Sequence, residues 1–129
     1  MQTMEQRRAA DAWEKAQRCS EEYTKLAKGL PALIMNSGLM QVLAFLEEKA
    51  NKLDRDRNRV HPHCYDLSNH LRTWLQARFA KTIPNAEFAP FMKALMQAEP
   101  TEYQAITAEA FAWLRWMRQM APAARAGGR

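Results

Sequence analysis

Between Thr3 and Met120 several separate segments carry apolar side chains at every third and fourth position, and nowhere do apolar and polar residues alternate for long enough to make a strand. That period allows helices packed on helices and little else. Four Gly and six Pro in 129 residues are too few for the many tight turns of an all-β fold. No segment repeats at an interval of 20–50 residues, so a solenoid is excluded. The length suits one domain, and 47% hydrophobic with 26% charged residues is the balance of a chain that folds. The expected architecture is all-α: a single compact bundle of about five or six helices over residues 1–120, with 121–129 (APAARAGGR) as a flexible tail.

Thr3-Met4-Glu5-Gln6 has the form of a capping box and opens a first helix that the spacing carries to about Lys28. Ala9, Ala12, Trp13, Ala16, Tyr23, Leu26 and Ala27 share one side of it. Gly29 is read as its stop and Pro31 as the block to its continuation. Residues 30–49 are the most apolar, and Asn36-Ser37-Gly38 divides them into a short and a longer helix. Leu39–Leu46 is apolar around the whole axis, the pattern of a buried central helix. Residues 51–60 alternate charges and read as a solvated loop. Pro62 suits the first position of a helix that runs to about Phe79. A short helix near Ala89–Gln97 follows, then a second capping-box pattern, Thr101-Glu102-Tyr103-Gln104. It starts a helix ending near Met120 with a core stripe of Tyr103, Ile106, Ala110, Trp113, Leu114 and Met117.

Catalytic chemistry finds no foothold. There is no Gly-rich phosphate loop, nucleophile elbow or H-E-x-x-H motif. His61, His63 and Cys64, with His70 following, are the right atoms for zinc, but they crowd one helix start instead of forming the spaced pairs that a structural site needs. Polar residues at a loop-to-helix junction explain them, and no metal or other cofactor is expected. Cys64 beside histidines has no orienting group or oxyanion hole. Glu109 sits among the aromatics of the last helix, a candidate buried acid with no partner for acid–base work.

Binding is better supported. The formal charge is +5, spread over mixed-charge helices with no basic block, which is compatible with a nucleic-acid partner without demanding one. On the last helix Phe111, Arg115 and Arg118 stand opposite most of the core stripe. An aromatic ring with two guanidinium groups stacks on bases and contacts phosphates. The competing reading has this helix covered on both sides, its arginines merely complementing the helix C-terminus. Arg7, Arg18 and Lys25, nearly eclipsed on the first helix, offer a second track for a phosphate backbone. Against them stand their acidic neighbours and the ordinary solvated face. Eight Met and four Trp exceed what the length requires, so some belong either to the core or to a partner surface.

The opening residues have no apolar stretch of signal-peptide type, and no window reaches the roughly 20 apolar residues that span a bilayer. With Cys19 and Cys64 read as reduced thiols, the expected location is the cytoplasm.

Three segments carry a resemblance: EQRRAADAWEKA, LAKGLPALIMNSGLMQVLAFL and EYQAITAEAFAWLRWMRQMA. Together they resemble the small helical subunit of the type III-B CRISPR–Cas (Cmr) effector complex. The most specific element is K-G-L-P-A-L-I followed by N-x-G-L and L-A-F-L. The resemblance implies a non-catalytic subunit of antiviral defence. It would stack in several copies beside the backbone subunits that hold the guide RNA and help to shape the target-RNA channel. Its partners would be other Cmr subunits, further copies of itself, and guide or target RNA, with no membrane. A free-standing helical nucleic-acid-binding protein and a purely structural helical oligomer are the alternatives.

Overall fold

A computed structural model of the chain describes residues 1–127. Six helices are present there: α1 (Met4–Ala16), α2 (Glu21–Ser37), α3 (Leu39–Ala50), α4 (Pro62–Arg78), α5 (Phe88–Gln97) and α6 (Pro100–Ala126). Helix α6, 27 residues and roughly 40 Å long, is the spine. α1 and α2 pack along it, α3 packs on α4, and α2 bridges both pairs. The core joins Ala12 and Ala16 of α1, Tyr23 and Leu30 of α2, Leu43 of α3, Leu71 of α4, Phe91 of α5 and Trp113 of α6. Of the stripe expected on the last helix, Ile106, Ala110, Trp113, Leu114 and Met117 are fully buried, whereas Tyr103 is only half-buried against the core.

Local signals explain several boundaries. The Thr3 hydroxyl accepts from the Gln6 amide at 3.1 Å while the Gln6 side chain accepts from the Thr3 amide at 2.7 Å. Pro62 occupies the first turn of α4, where its missing N–H costs nothing. Gly38, at φ 87°, ends α2 and begins α3 in a conformation that L side chains rarely adopt.

Five expectations are corrected. The first helix does not run to Lys28. It breaks after Ala16, where Arg18 takes a left-handed backbone (φ 67°) and Ser20 caps a new helix, its hydroxyl accepting from the Tyr23 amide at 3.0 Å. Gly29 and Pro31 do not end that new helix; α2 passes through both to Ser37. Pro31 removes one hydrogen bond from the ladder, but Leu30 and Ile34 on either side of it are buried. Each such side chain contributes roughly 1.5–3 kcal/mol on burial, which offsets the loss.

Nor is Leu39–Leu46 buried all round. Leu39, Val42, Leu43 and Leu46 face inward, whereas Gln41, Ala44 and Phe45 are exposed. α3 therefore lies at the bundle's edge, packed on one side by α2 and α4. The capping box at Thr101 does not form, because α6 starts two residues earlier than that box would set it, on Pro100 with Glu99 at the N-cap and no side-chain cap. Finally, the last helix does not end at Met120. It continues to Ala126 because Ala121 and Ala124 are buried and Arg125 donates to the Cys19 carbonyl at 3.2 Å. The expected flexible tail is thus helical over most of its length, and residues 128–129 lie outside the described part.

Candidate functional site

With its core stripe turned inward, α6 presents Ala108, Phe111, Ala112, Arg115, Arg118 and Gln119 along the opposite side. α2 and α1 flank this face without covering it, and a groove lies on each side. The groove between α2 and α6 has a volume of about 420 Å3 and is lined by Pro31, Met35, Ala108, Phe111, Arg115 and Arg118. Phe111 is half-buried against the core, Met35 is 80% exposed, and both arginines are exposed. No carboxylate lines this groove. The groove between α1 and α6, about 270 Å3, is lined by Glu5, Arg8, Ala112, Arg115, Trp116 and Gln119. Three of the six sequence-predicted residues, Phe111, Arg115 and Arg118, therefore meet in one groove.

The face is open, and α6 runs eight residues beyond Arg118, so Arg115 and Arg118 are not helix C-terminal complements. Sequence reasoning missed Trp116 and Met35. Trp116 follows Arg115 directly and carried a signal as an aromatic off the core stripe. Met35 lies on another helix, and no local pattern connects it to Phe111.

The second predicted group does not come together as a stripe. Arg7 and Lys25 are exposed on α1 and α2, and the turn at Arg18 separates the two helices. Arg18 instead borders a cleft of about 460 Å3 shared with Glu14, Lys15, Tyr23, His63, Asp66 and His70. Glu14 and Asp66 balance its cations, and Lys15 is already paired with Asp11 at 2.9 Å. The Tyr23 hydroxyl and His70 Nδ1 lie 2.8 Å apart. Burial, with Lys15 nearby, pushes the His70 pKa down; burial, then His61, does the same for His63.

Among the described residues no three His, Cys, Asp or Glu side chains converge as a metal site. The His61 and His63 rings meet edge-on at 5.8 Å, and Cys64 is buried with its thiol pKa pushed up by that burial.

Glu109 is buried, and its partners are structural donors. Arg8 grips it with two bonds of 2.7 and 2.8 Å, the Trp74 indole N–H donates at 3.0 Å, and Arg78 donates at 3.3 Å. Burial by itself would raise the carboxyl pKa. The hydrogen bonds from Arg8 and Trp74 and the charges of Arg8 and Arg78 outweigh it and hold the pKa below the usual carboxylate range. A carboxylate held ionised by two guanidinium groups is a fastening between α1, α4 and α6, not a proton shuttle.

A family model described as CRISPR-associated protein (Cas_Cmr5) matches residues 4–124. The fold is similar to the crystal structure of a CRISPR-associated Cmr5 family protein from Thermus thermophilus. The TM-score is 0.69 at 25% sequence identity, with 95% of this chain and 97% of that one covered.

Proposed function

The chain belongs to the CRISPR-associated Cmr5 family, and from that premise we propose that it is the non-catalytic small subunit of a type III-B effector complex. In this reading several copies stand beside the backbone subunits that hold the guide RNA, and together they line the channel taken by target RNA. Its partners are other Cmr subunits, further copies of itself and RNA, and its place is the cytoplasm. None of the described helices is long and apolar enough to cross a membrane.

The observation that carries the proposal is the groove between α2 and α6, where Phe111 lies with Arg115 and Arg118 and no carboxylate intrudes. Guanidinium groups beside an aromatic ring suit a single-stranded backbone and its bases. One copy offers too few cations for tight binding, since affinity for a phosphate backbone grows with the number of phosphates neutralised. Aligned copies add their grooves along one strand and gain by avidity. Arg7, Arg18 and Lys25 then serve as a dispersed second set of cations, effective only where a neighbouring copy extends them.

The test is charge reversal at Arg18, Lys25, Arg115 and Arg118 together, within the assembled effector. Target-RNA capture falls while the free subunit keeps its helical circular-dichroism spectrum. Sub-micromolar RNA binding by the lone chain at physiological salt would favour a free-standing binder. Undiminished capture with all four reversals would leave only a structural oligomer.

A further inference from the structure

We propose that α6 holds two consecutive nucleotides of one RNA strand, with one base in each of its flanking grooves and the phosphate between them on Arg115. This rests on the RNA-channel reading above and adds to it a second base site and a base preference.

Arg115 lines both grooves, and each groove has its own aromatic wall: Phe111 on the α2 side and Trp116 on the α1 side, both half-buried. Ala108 and Ala112, one turn apart, keep the floors low between them. Trp116 lies five positions after Phe111, about 7.5 Å along the helix axis and about 140° around it. Stacked bases in a duplex lie roughly 3.4 Å apart on one strand. Two bases held at these aromatics are therefore splayed to either side of Arg115, a posture open to a single strand and closed to a duplex.

The two grooves also differ in chemistry. The α2 side offers only apolar walls and two guanidinium groups, so any base stacks there. The α1 side adds Glu5 and Gln119, both exposed. A carboxylate accepts from the exocyclic amino group of cytosine or adenine, and uracil has none to give. Arg8 in this groove is committed to Glu109 through both of its bonds, so it supplies a fixed positive wall while the exposed Arg115 supplies the phosphate contact. The α1 side should accordingly prefer an amino-bearing base to uracil.

The experiment titrates oligocytidylate and oligouridylate of equal length onto the full chain at low salt, reading anisotropy of labelled RNA and, separately, tryptophan fluorescence. Oligocytidylate binds more tightly, and Glu5→Ala abolishes the preference. Phe111→Ala and Trp116→Ala each weaken binding about tenfold, within the range for loss of one stacked base. Trp116→Phe restores affinity but removes the quenching that RNA causes in the wild type, while Trp13→Phe keeps it. Melting curves confirm that each variant folds, and Trp116→Phe carries the test if Trp116→Ala does not. Loss of affinity in Arg115→Glu with Arg118→Glu, but unchanged affinity in Phe111→Ala and quenching that persists in Trp116→Phe, would overturn the two-base site and leave RNA contact standing. No effect of any of these changes would overturn both. Equal affinity for polyglutamate through the same arginines would make the face a protein contact instead.

Discussion

Arg8 and Glu109 lie 101 residues apart in the chain and meet in a two-pronged ion pair, Nε to Oε2 at 2.7 Å and Nη2 to Oε1 at 2.8 Å. The pair fastens the first helix to the last, directly behind the groove that holds Trp116. Glu109 is only 3% exposed at its side chain, and Arg78 and Trp74 complete its shell. Glu109→Gln leaves two guanidinium groups facing a neutral amide, and breaking a buried pair from one side costs about 3 kcal/mol. Because the folded carboxyl has a lowered pKa, its contribution is complete above the ordinary value near 4.3 and drains away as pH falls through the folded pKa. Urea melts from pH 7 to pH 2.5 should show the wild type losing its advantage over Glu109→Gln in the acid range. Parallel stability curves for the two proteins across that range would show that the pair contributes no pH dependence.

Much of the fold is legible because its signals are local. Thr3 with Gln6, Pro62 at the first turn of α4, and Gly38 between two helices each act within four residues. The break at Arg18 had a local signal as well, since Ser20 followed by Glu21 and Glu22 is a helix start. The uninterrupted apolar spacing masked it. Pro31 misleads for a different reason: burial of Leu30 and Ile34, settled by distant helices, overrides what the proline does locally. The same division governs the site. Phe111, Arg115 and Arg118 are legible because one helix spaces them, whereas Met35 joins them only through the packing of α2 on α6.

Two glycines should respond to alanine in opposite directions. Gly29 lies inside α2 with nothing within 4 Å of an added Cβ, so Gly29→Ala should stabilise by about 0.5–1 kcal/mol. Gly38 stands at φ 87° and ψ 156°, a region kept almost wholly to glycine, so Gly38→Ala should cost about 1–3 kcal/mol. Denaturant midpoints of the two variants decide it. A Gly38→Ala protein as stable as the wild type would mean that the α2–α3 junction relaxes freely.

The edge position of α3 is tested by two neighbours of similar hydrophobicity. Leu43 is fully buried, and Leu43→Ala should cost roughly 2–5 kcal/mol. Phe45 is 44% exposed and borders the shallow hollow formed with Leu33 and Val42, so Phe45→Ala should cost distinctly less in the isolated chain. Equal losses would return α3 to the centre of the bundle.

The histidine-rich start of α4 should bind no structural metal. Zinc requires four ligands converging at about 2.0–2.3 Å, whereas His61 and His63 meet edge-on with ring centroids 5.8 Å apart. Cys64 turns into the core, where burial favours the neutral thiol over the thiolate that zinc needs. His70, one turn and more further along, is hydrogen-bonded to Tyr23 across the α2–α4 contact. Because structural zinc contributes directly to folding, a chelator should leave the melting temperature unchanged and the purified chain should carry no stoichiometric metal. One equivalent of zinc, lost together with several degrees of thermal stability in His63→Ala or Cys64→Ala, would mean that the start of α4 rearranges around an ion.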